Sequence, residues 1–372
     1  MTILIGLILL SFLVFFHELG HFIMAHICGV TVESFSVGMG PVLLHHKWGK
    51  TDYRLSLIPL GGYCGMKGEK DFTKALEENK NSIEGDKDSF YGVHPFKRIL
   101  IAFAGPFFNL LLALICFTCI GLIGFTTKTL SSTVTMPKDT EEYKNLPSPA
   151  QDAGMQTGDK IIKINSTQVN DYEEIYSLIA THPDETINIQ VDRQGQILNF
   201  EIKTLLNKET GQGQIGVIFN NNEIIEKEQK PMSFFKAGAY GLKQTGSMIC
   251  LTVKSIGILF KGVKITSAVS GPVKITSMLG ETVKFSFTEN FKTGLISTLQ
   301  FMAIINISLF LMNLLPVPVL DGGLILFSLI ELVIRKKLHP KVLYYMQFVG
   351  LAFIMLLFAI ALIGDISWLI KK

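Results

Sequence analysis

Four stretches of this chain are apolar for long enough to cross a bilayer core of about 30 Å, which takes roughly 20 helical residues. They run from Thr2 to Cys28, Ile99 to Phe125, Leu295 to Ile334 and Val342 to Ile366, and prolines and glycines interrupt the third. Hydrophobic residues make up 48% of the 372 and charged residues 17%, whereas a soluble protein carries about a quarter charged residues. Because the excess sits in runs, the expected fold is a polytopic α-helical membrane protein with four transmembrane helices. The first run lacks a basic leader and a small-residue cleavage site, so it is expected to stay attached as a helix.

The net charge of +3 says little, but its placement says more. The link from Arg335 to Lys341 is basic, and the positive-inside rule puts it in the cytoplasm. Lys371 and Lys372 weigh the other way, but less. Threading back gives helix 1–28 starting outside, a cytoplasmic segment 29–98, a second helix over 99–125 and an outside segment up to 293. A broken third helix over 294–334 and a fourth over 342–368 follow. The cysteines at 28, 64, 116, 119 and 250 fall in different places and make no disulfide framework. Cys116 and Cys119 read as small apolar residues of a lipid-embedded helix.

Segment 29–98 alternates like strands at Thr31 to Gly38 and Tyr53 to Ile58, and predicts a β-hairpin close to the membrane. The charged stretch Lys67 to Asp88 is expected to be mobile. Residues 127–205 predict a compact domain with strands Lys160–Ile164, Thr186–Val191 and Ile197–Ile202, a helix near Tyr172–Ala180 and a turn at Arg193-Gln194-Gly195. Residues 127–230 hold 10 basic and 16 acidic side chains, a balance of −6 that excludes nucleic acid as a partner. Segment 206–293 turns amphipathic from 231, with lysines at 236, 243, 254, 261 and 264, and predicts an interfacial helix. A crossing there would reverse the third span relative to the first.

The first span carries His17-Glu18-Leu19-Gly20-His21. Helix positions i and i+4 share a face, so both imidazoles can bind one Zn²⁺ with Glu18 beside it as general base. Charged side chains at mid-membrane cost at least about 2.5–3.5 kcal/mol each, so they survive there with a partner or a function. The histidines at 26, 45, 46, 94, 182 and 339 lack ligand spacing. Catalytic zinc takes a third protein ligand, and the interrupted run Leu311 to Gly323 offers Asp321 for that role and Asn313 to hold the substrate. Irregular backbone at that depth is tolerated only around a protein-lined or watery cavity. At 1.5 Å per residue, His17 lies roughly 24 Å into its helix. Asn313 lies 18 residues into a span running the same way, so the two motifs can meet.

These motifs, their order and the domain between them resemble the site-2 protease family of intramembrane zinc metalloproteases, in its bacterial RseP-like branch, over nearly the whole chain. Phe35 to Pro41 and Ile58 to Tyr63 are similar to the family's membrane-associated β-hairpin, which implies that Gly61, Gly62 and Tyr63 contact substrate. Ala104 to Asn109 resembles the start of its second span, and Ser270 to Val273 a segment before its third. Pro149 to Met155 with Gly158 to Ile162 looks like its PDZ domain. The resemblance implies four transmembrane helices, a membrane-associated β-hairpin and one extracytoplasmic PDZ-like α+β domain. Its best-known members carry two PDZ domains in tandem. The acidic stretch Met136 to Leu146 does not align with a carboxylate-binding loop. Where the family often has a further Asn, five residues before Asn313, this chain has Ser308, and Asn306 is the candidate substitute.

The expected function is a bacterial plasma-membrane endopeptidase acting on single-span proteins, such as anti-sigma factors first cut outside by a site-1-type protease, or on signal-peptide remnants. A non-catalytic PDZ-containing membrane adaptor is the alternative, but it would have no need of His17, Glu18, His21 and Asp321. A metal transporter is the third reading, and the sequence shows neither an inverted repeat nor a second ionisable cluster for it.

Overall fold

The structure is a computed structural model that describes residues 2–208, 210–219, 224–259 and 271–371. Lys261, Lys264, Ser270 and Lys372, named above, lie outside the described residues. The chain divides into two compact units, one of residues 1–123, 232–249 and 270–372, the other of residues 124–231 and 250–269.

The first unit is built on α1 (Thr2–Cys28), the hairpin strands β1 (Val32–Trp48) and β2 (Thr51–Met66), α2 (Asp71–Glu77) and α3 (Pro95–Ile123). Later in the chain come α6 (Phe234–Leu259, of which residues 234–249 belong to this unit), α7 (Pro272–Glu289), α8 (Phe291–Asn313), α9 (Asp321–Ile334) and α10 (Pro340–Lys371). Among the described residues, four helices are long and apolar enough to cross a membrane: Leu4–Cys28, Pro95–Ile123, Phe291–Asn313 and Pro340–Ile370. Helices α6 and α7 are not among them. Large apolar side chains such as Phe348, Met355, Leu356 and Ile363 face outward along α10, as expected of a surface solvated by lipid.

The hairpin is longer and more bent than the alternation implied. Residues 34–37 of β1 pair with 52–55 of β2 on one side and with 62–65 on the other, through several bulges. Such bulges bend and twist a strand, so two long strands make a curled sheet. Among the described residues, Gly62–Met66 pairs on one side only, with residues 32–37, and forms an edge. Met39, Leu43, Leu44, Trp48 and Leu57 are exposed on the hairpin, an apolar surface suited to lipid.

The stretch expected to be mobile is packed instead. Phe72, Ala75, Ile83 and Phe90 are buried beside Val32 and Phe35. Phe90 N–H donates to the Lys67 carbonyl (2.8 Å), and the Lys67 ammonium pairs with Asp88. Lys337 Nζ donates to the Ile83 carbonyl (2.7 Å). Four apolar residues dispersed among charges set no period, which is why composition alone misjudged them.

The second unit holds the antiparallel sheet β6-β5-β7-β8, with β5 Lys160–Ile164, β6 Thr167–Gln168, β7 Thr186–Arg193 and β8 Gln196–Lys203. Helix α4 is Pro149–Asp152, and α5 (Tyr172–Ala180) is N-capped by the Asp171 carboxylate accepting from Glu174 N–H. Gln194 and Gly195 both have positive φ (53° and 89°), which makes the tight turn between β7 and β8. The unit does not stop at 205. Strands β9 (Leu205–Leu206), β10 (Gly213–Gln214), β11 (Ile218–Phe219) and β12 (Ile224–Gln229) extend it. β11 pairs with β4 (Val134–Thr135) and β12 with β3 (Phe125–Leu130). Two-residue strands show no periodicity, and β12 is charged and exposed, so neither signals a strand in the sequence.

In the first unit, Arg98 near the start of α3 and Glu331 near the end of α9 form an ion pair, each 4% exposed. Glu331 also accepts from Leu338 N–H (2.9 Å). Removing one partner of such a pair strands the other charge, at a cost of about 3–5 kcal/mol, whereas apolar replacement of both is far milder. Glu331→Ala is therefore expected to lower the thermal unfolding midpoint in detergent much more than the double variant Arg98→Met/Glu331→Leu, measured side by side.

Candidate active site

His17 and His21 lie on one face of α1, and Asp321 is the first residue of α9. His17 Nε2 stands 3.2 Å from Asp321 Oδ2, His21 Nε2 stands 3.3 Å from Asp321 Oδ1, and the two Nε2 atoms are 3.2 Å apart. His21 is 7% exposed and His17 9%. Tetrahedral zinc with ligands at 2.0–2.1 Å spaces them about 3.3 Å apart, so this donor set matches zinc in chemistry and in spacing.

Close approach of α3 to α1 makes the arrangement possible. A Cβ at Gly105 would fall 2.2 Å from His21 Nε2, and one at Gly20 would fall 2.3 Å from the Ala104 carbonyl. With no side chains there, the imidazole lies against the α3 backbone. His21 Nδ1 donates to the Ile101 carbonyl (2.8 Å). A carbonyl only accepts, so Nδ1 carries a proton and Nε2 is the nitrogen turned toward Asp321 and left to bind metal.

The break between α8 and α9 delivers Asp321. Pro316 and Pro318 lack an N–H to continue the α8 ladder. Val319 adopts φ +85°, strained for a β-branched residue and worth about 1–3 kcal/mol. The turn folds tightly onto the first turn of α9. A Cβ at Gly322 would meet the Leu315 carbonyl at 2.2 Å, and one at Gly323 the Val317 carbonyl at 2.5 Å. The carboxylate thus sits at a helix N-terminus, where the backbone dipole favours negative charge.

A cavity of about 280 Å³ opens on the trio and is also lined by Glu18, Tyr63, Cys64, Glu69, Asn313 and Val319. Glu18 and Asn313 therefore face the same space as the three converging side chains. Gly62 lies beside Glu18, whose Cγ is 3.5 Å from where a Gly62 Cβ would be. Tyr63 lines the cavity and its hydroxyl accepts from Arg54 (2.9 Å). Gly61 is one residue further from it and turns the chain with φ +95°. Burial, with the Glu18 carboxylate nearby, pushes the Cys64 thiol up.

Asn306 is placed elsewhere. It is fully buried, its amide donates to the Met302 carbonyl one turn back (2.8 Å), and it does not line the cavity. A heptad restores the helix face but adds about 10 Å of rise, which carries Asn306 away from Asn313. Two residues without a site role in the sequence reading do reach the site. Asn109 of α3 is fully buried with its amide 3.0 Å from His17 Nδ1, and Glu69 brings a second carboxylate to the cavity. A polar residue in an apolar span was the signal for Asn109. Nothing local marks Glu69.

Gly105→Ala is expected to push the His21 ring off its position while leaving the fold intact. Metal affinity should drop by roughly tenfold or more, the scale seen when a ligand's support is lost. Metal analysis of the purified protein after dialysis against a chelator would show it.

The peptidase family M50 model matches residues 5–357. The chain is 35% identical over 447 residues to a protein of Treponema pallidum, with 99% of each chain covered. It is 34% identical to one of Campylobacter jejuni, covering 98% of this chain and 93% of that one. It is 31% identical to one of Clostridium perfringens, covering 98% of both. All three carry the name "Putative zinc metalloprotease". The chain belongs to peptidase family M50, the site-2 proteases, and is a membrane zinc metalloprotease.

Proposed function

We propose that this enzyme cuts single-span membrane proteins or signal-peptide remnants inside the bilayer, with His17, His21 and Asp321 holding the zinc. The observation that carries the reading is the meeting of these three side chains next to Glu18 in one cavity. Zinc supplies Lewis acidity, which acidifies water and polarises a carbonyl. Glu18 takes the proton of the attacking water and returns it to the amide nitrogen as the C–N bond breaks. Asn313, at the end of α8, directs its amide to the substrate carbonyl and steadies the oxyanion. The Gly62–Met66 edge, with Gly61 turning the chain into it, pairs with an extended substrate backbone. A transmembrane helix hides its carbonyls in internal hydrogen bonds, so substrates need helix-breaking residues near the cut.

The chain fits the RseP-like branch with a single PDZ-like domain, the second unit, facing out of the cytoplasm of a bacterial cell. Its acidic surface excludes bulky ectodomains, so a site-1-type cut on the outer side precedes this one. The basic Arg335–Lys341 link supports the orientation. The Lys337 contact with Ile83 supports placing segment 29–98 on the same side.

The test uses wild type and Glu18→Gln purified in detergent, each assayed for bound zinc and for cleavage of a helix-destabilised single-span peptide. Both are expected to bind zinc, and the variant to be slower by about 100-fold or more, the scale of general base catalysis. Wild type that holds zinc yet cuts nothing the variant leaves intact would sink the proposal.

A further inference from the structure

Each ring has a second nitrogen, and its partner decides whether the first is free to bind metal. A neutral imidazole carries one proton, so Nε2 offers a lone pair only when Nδ1 holds that proton and donates it. His21 meets this condition through the Ile101 carbonyl. For His17 the neighbour is Asn109, fully buried on α3, with its amide nitrogen 3.0 Å from Nδ1 and its Oδ1 buried without a partner.

Two ring nitrogens and two amide ends allow two pairings. If the amide N–H₂ donates to Nδ1, the His17 proton sits on Nε2 and no lone pair faces Asp321. If the amide is turned by 180°, Oδ1 accepts from Nδ1–H and the Nε2 lone pair points at Asp321 and His21 Nε2. The two ends have nearly the same shape, and as placed Oδ1 is unpaired, so it gives no reason to prefer the recorded orientation. The choice is therefore set by the histidine.

We infer that Asn109 is the positioning residue of His17: its amide oxygen accepts from Nδ1–H and holds the ring in the tautomer that binds zinc. Ile101 and Asn109 both belong to α3, so this helix supplies the acceptors for both imidazoles while contributing no ligand itself. The inference rests on His17 being a ligand.

A packing role and an acceptor role predict opposite orders for two substitutions. Leu fills the site and cannot accept. Asp keeps an acceptor at the same reach and cannot present an N–H, but it buries a charge that pure packing would not tolerate. Zinc affinity is measured by competition with a chelating dye on full-length protein in detergent, and fold by zinc-loaded thermal unfolding. Asn109→Asp is expected to bind zinc at least as tightly as wild type, and Asn109→Leu about 10–100-fold more weakly, the usual cost of losing a ligand's hydrogen-bond partner. Leu binding like wild type, or Asp binding more weakly than Leu, would overturn the inference. Should the Leu variant not fold, the Asp variant decides alone, and a tenfold loss of affinity there overturns it. His17→Ala is the control: zinc bound as in wild type would remove the ligand reading itself, separately from Asn109.

Discussion

Lipid offers no hydrogen bonds, so an ionisable group inside a membrane protein must find its partners within the protein. The approach of α3 to α1 answers this for the site. Where Gly20 meets Ala104 and Gly105 meets His21, the helices pack at backbone distance. The imidazoles then reach the Ile101 carbonyl and the Asn109 amide. A larger residue at Gly20 would push the helices apart and one at Gly105 would displace the His21 ring, and either would leave buried ring nitrogens unpaired, which costs about 1–3 kcal/mol each. α3 is also bound to α9 by the buried Arg98–Glu331 pair, so the helix that supports the histidines is tied to the one that begins at Asp321.

That second tie matters because Asp321 follows a strained connection. Val319 is held at positive φ, and the two prolines prevent α8 from continuing. Such strain persists only where the surroundings over-determine it. Here Gly322 and Gly323 fold against the carbonyls of Leu314, Leu315 and Val317, and Pro318 is buried. The strain places a carboxylate at a helix N-terminus facing two imidazoles, a geometry that a straight helix would not produce.

The site was largely legible because its chemistry is out of place in an apolar run. His17, Glu18 and His21 stand out by helical spacing, and Asp321 and Asn313 by interrupting a span. The family resemblance suggested Asn306 as a stand-in one heptad before Asn313, but identity and face carry no information about distance along the helix. The hairpin was visible as alternation, while its double pairing was not, since bulges shift register without a marked residue pattern. Glu69 and the buried residues of 72–90 escaped because their burial comes from other segments folding over them.

The sequence by itself determined four apolar helices, a His-Glu-x-x-His pair on one helix face and an interrupted span carrying an acid, because periodicity and hydropathy are local properties. It also placed the main strands and the helix of the second unit, and the Gln194-Gly195 turn between two of those strands. Only the tertiary structure decided which polar groups meet. The 3.2–3.3 Å spacing of His17, His21 and Asp321, the Asn109 amide beside His17, the Arg98–Glu331 pair and the return of β12 to β3 all join residues far apart in sequence. Such contacts depend on how closely two backbones approach, and that follows from the packing of small residues between elements rather than from any pattern within one of them.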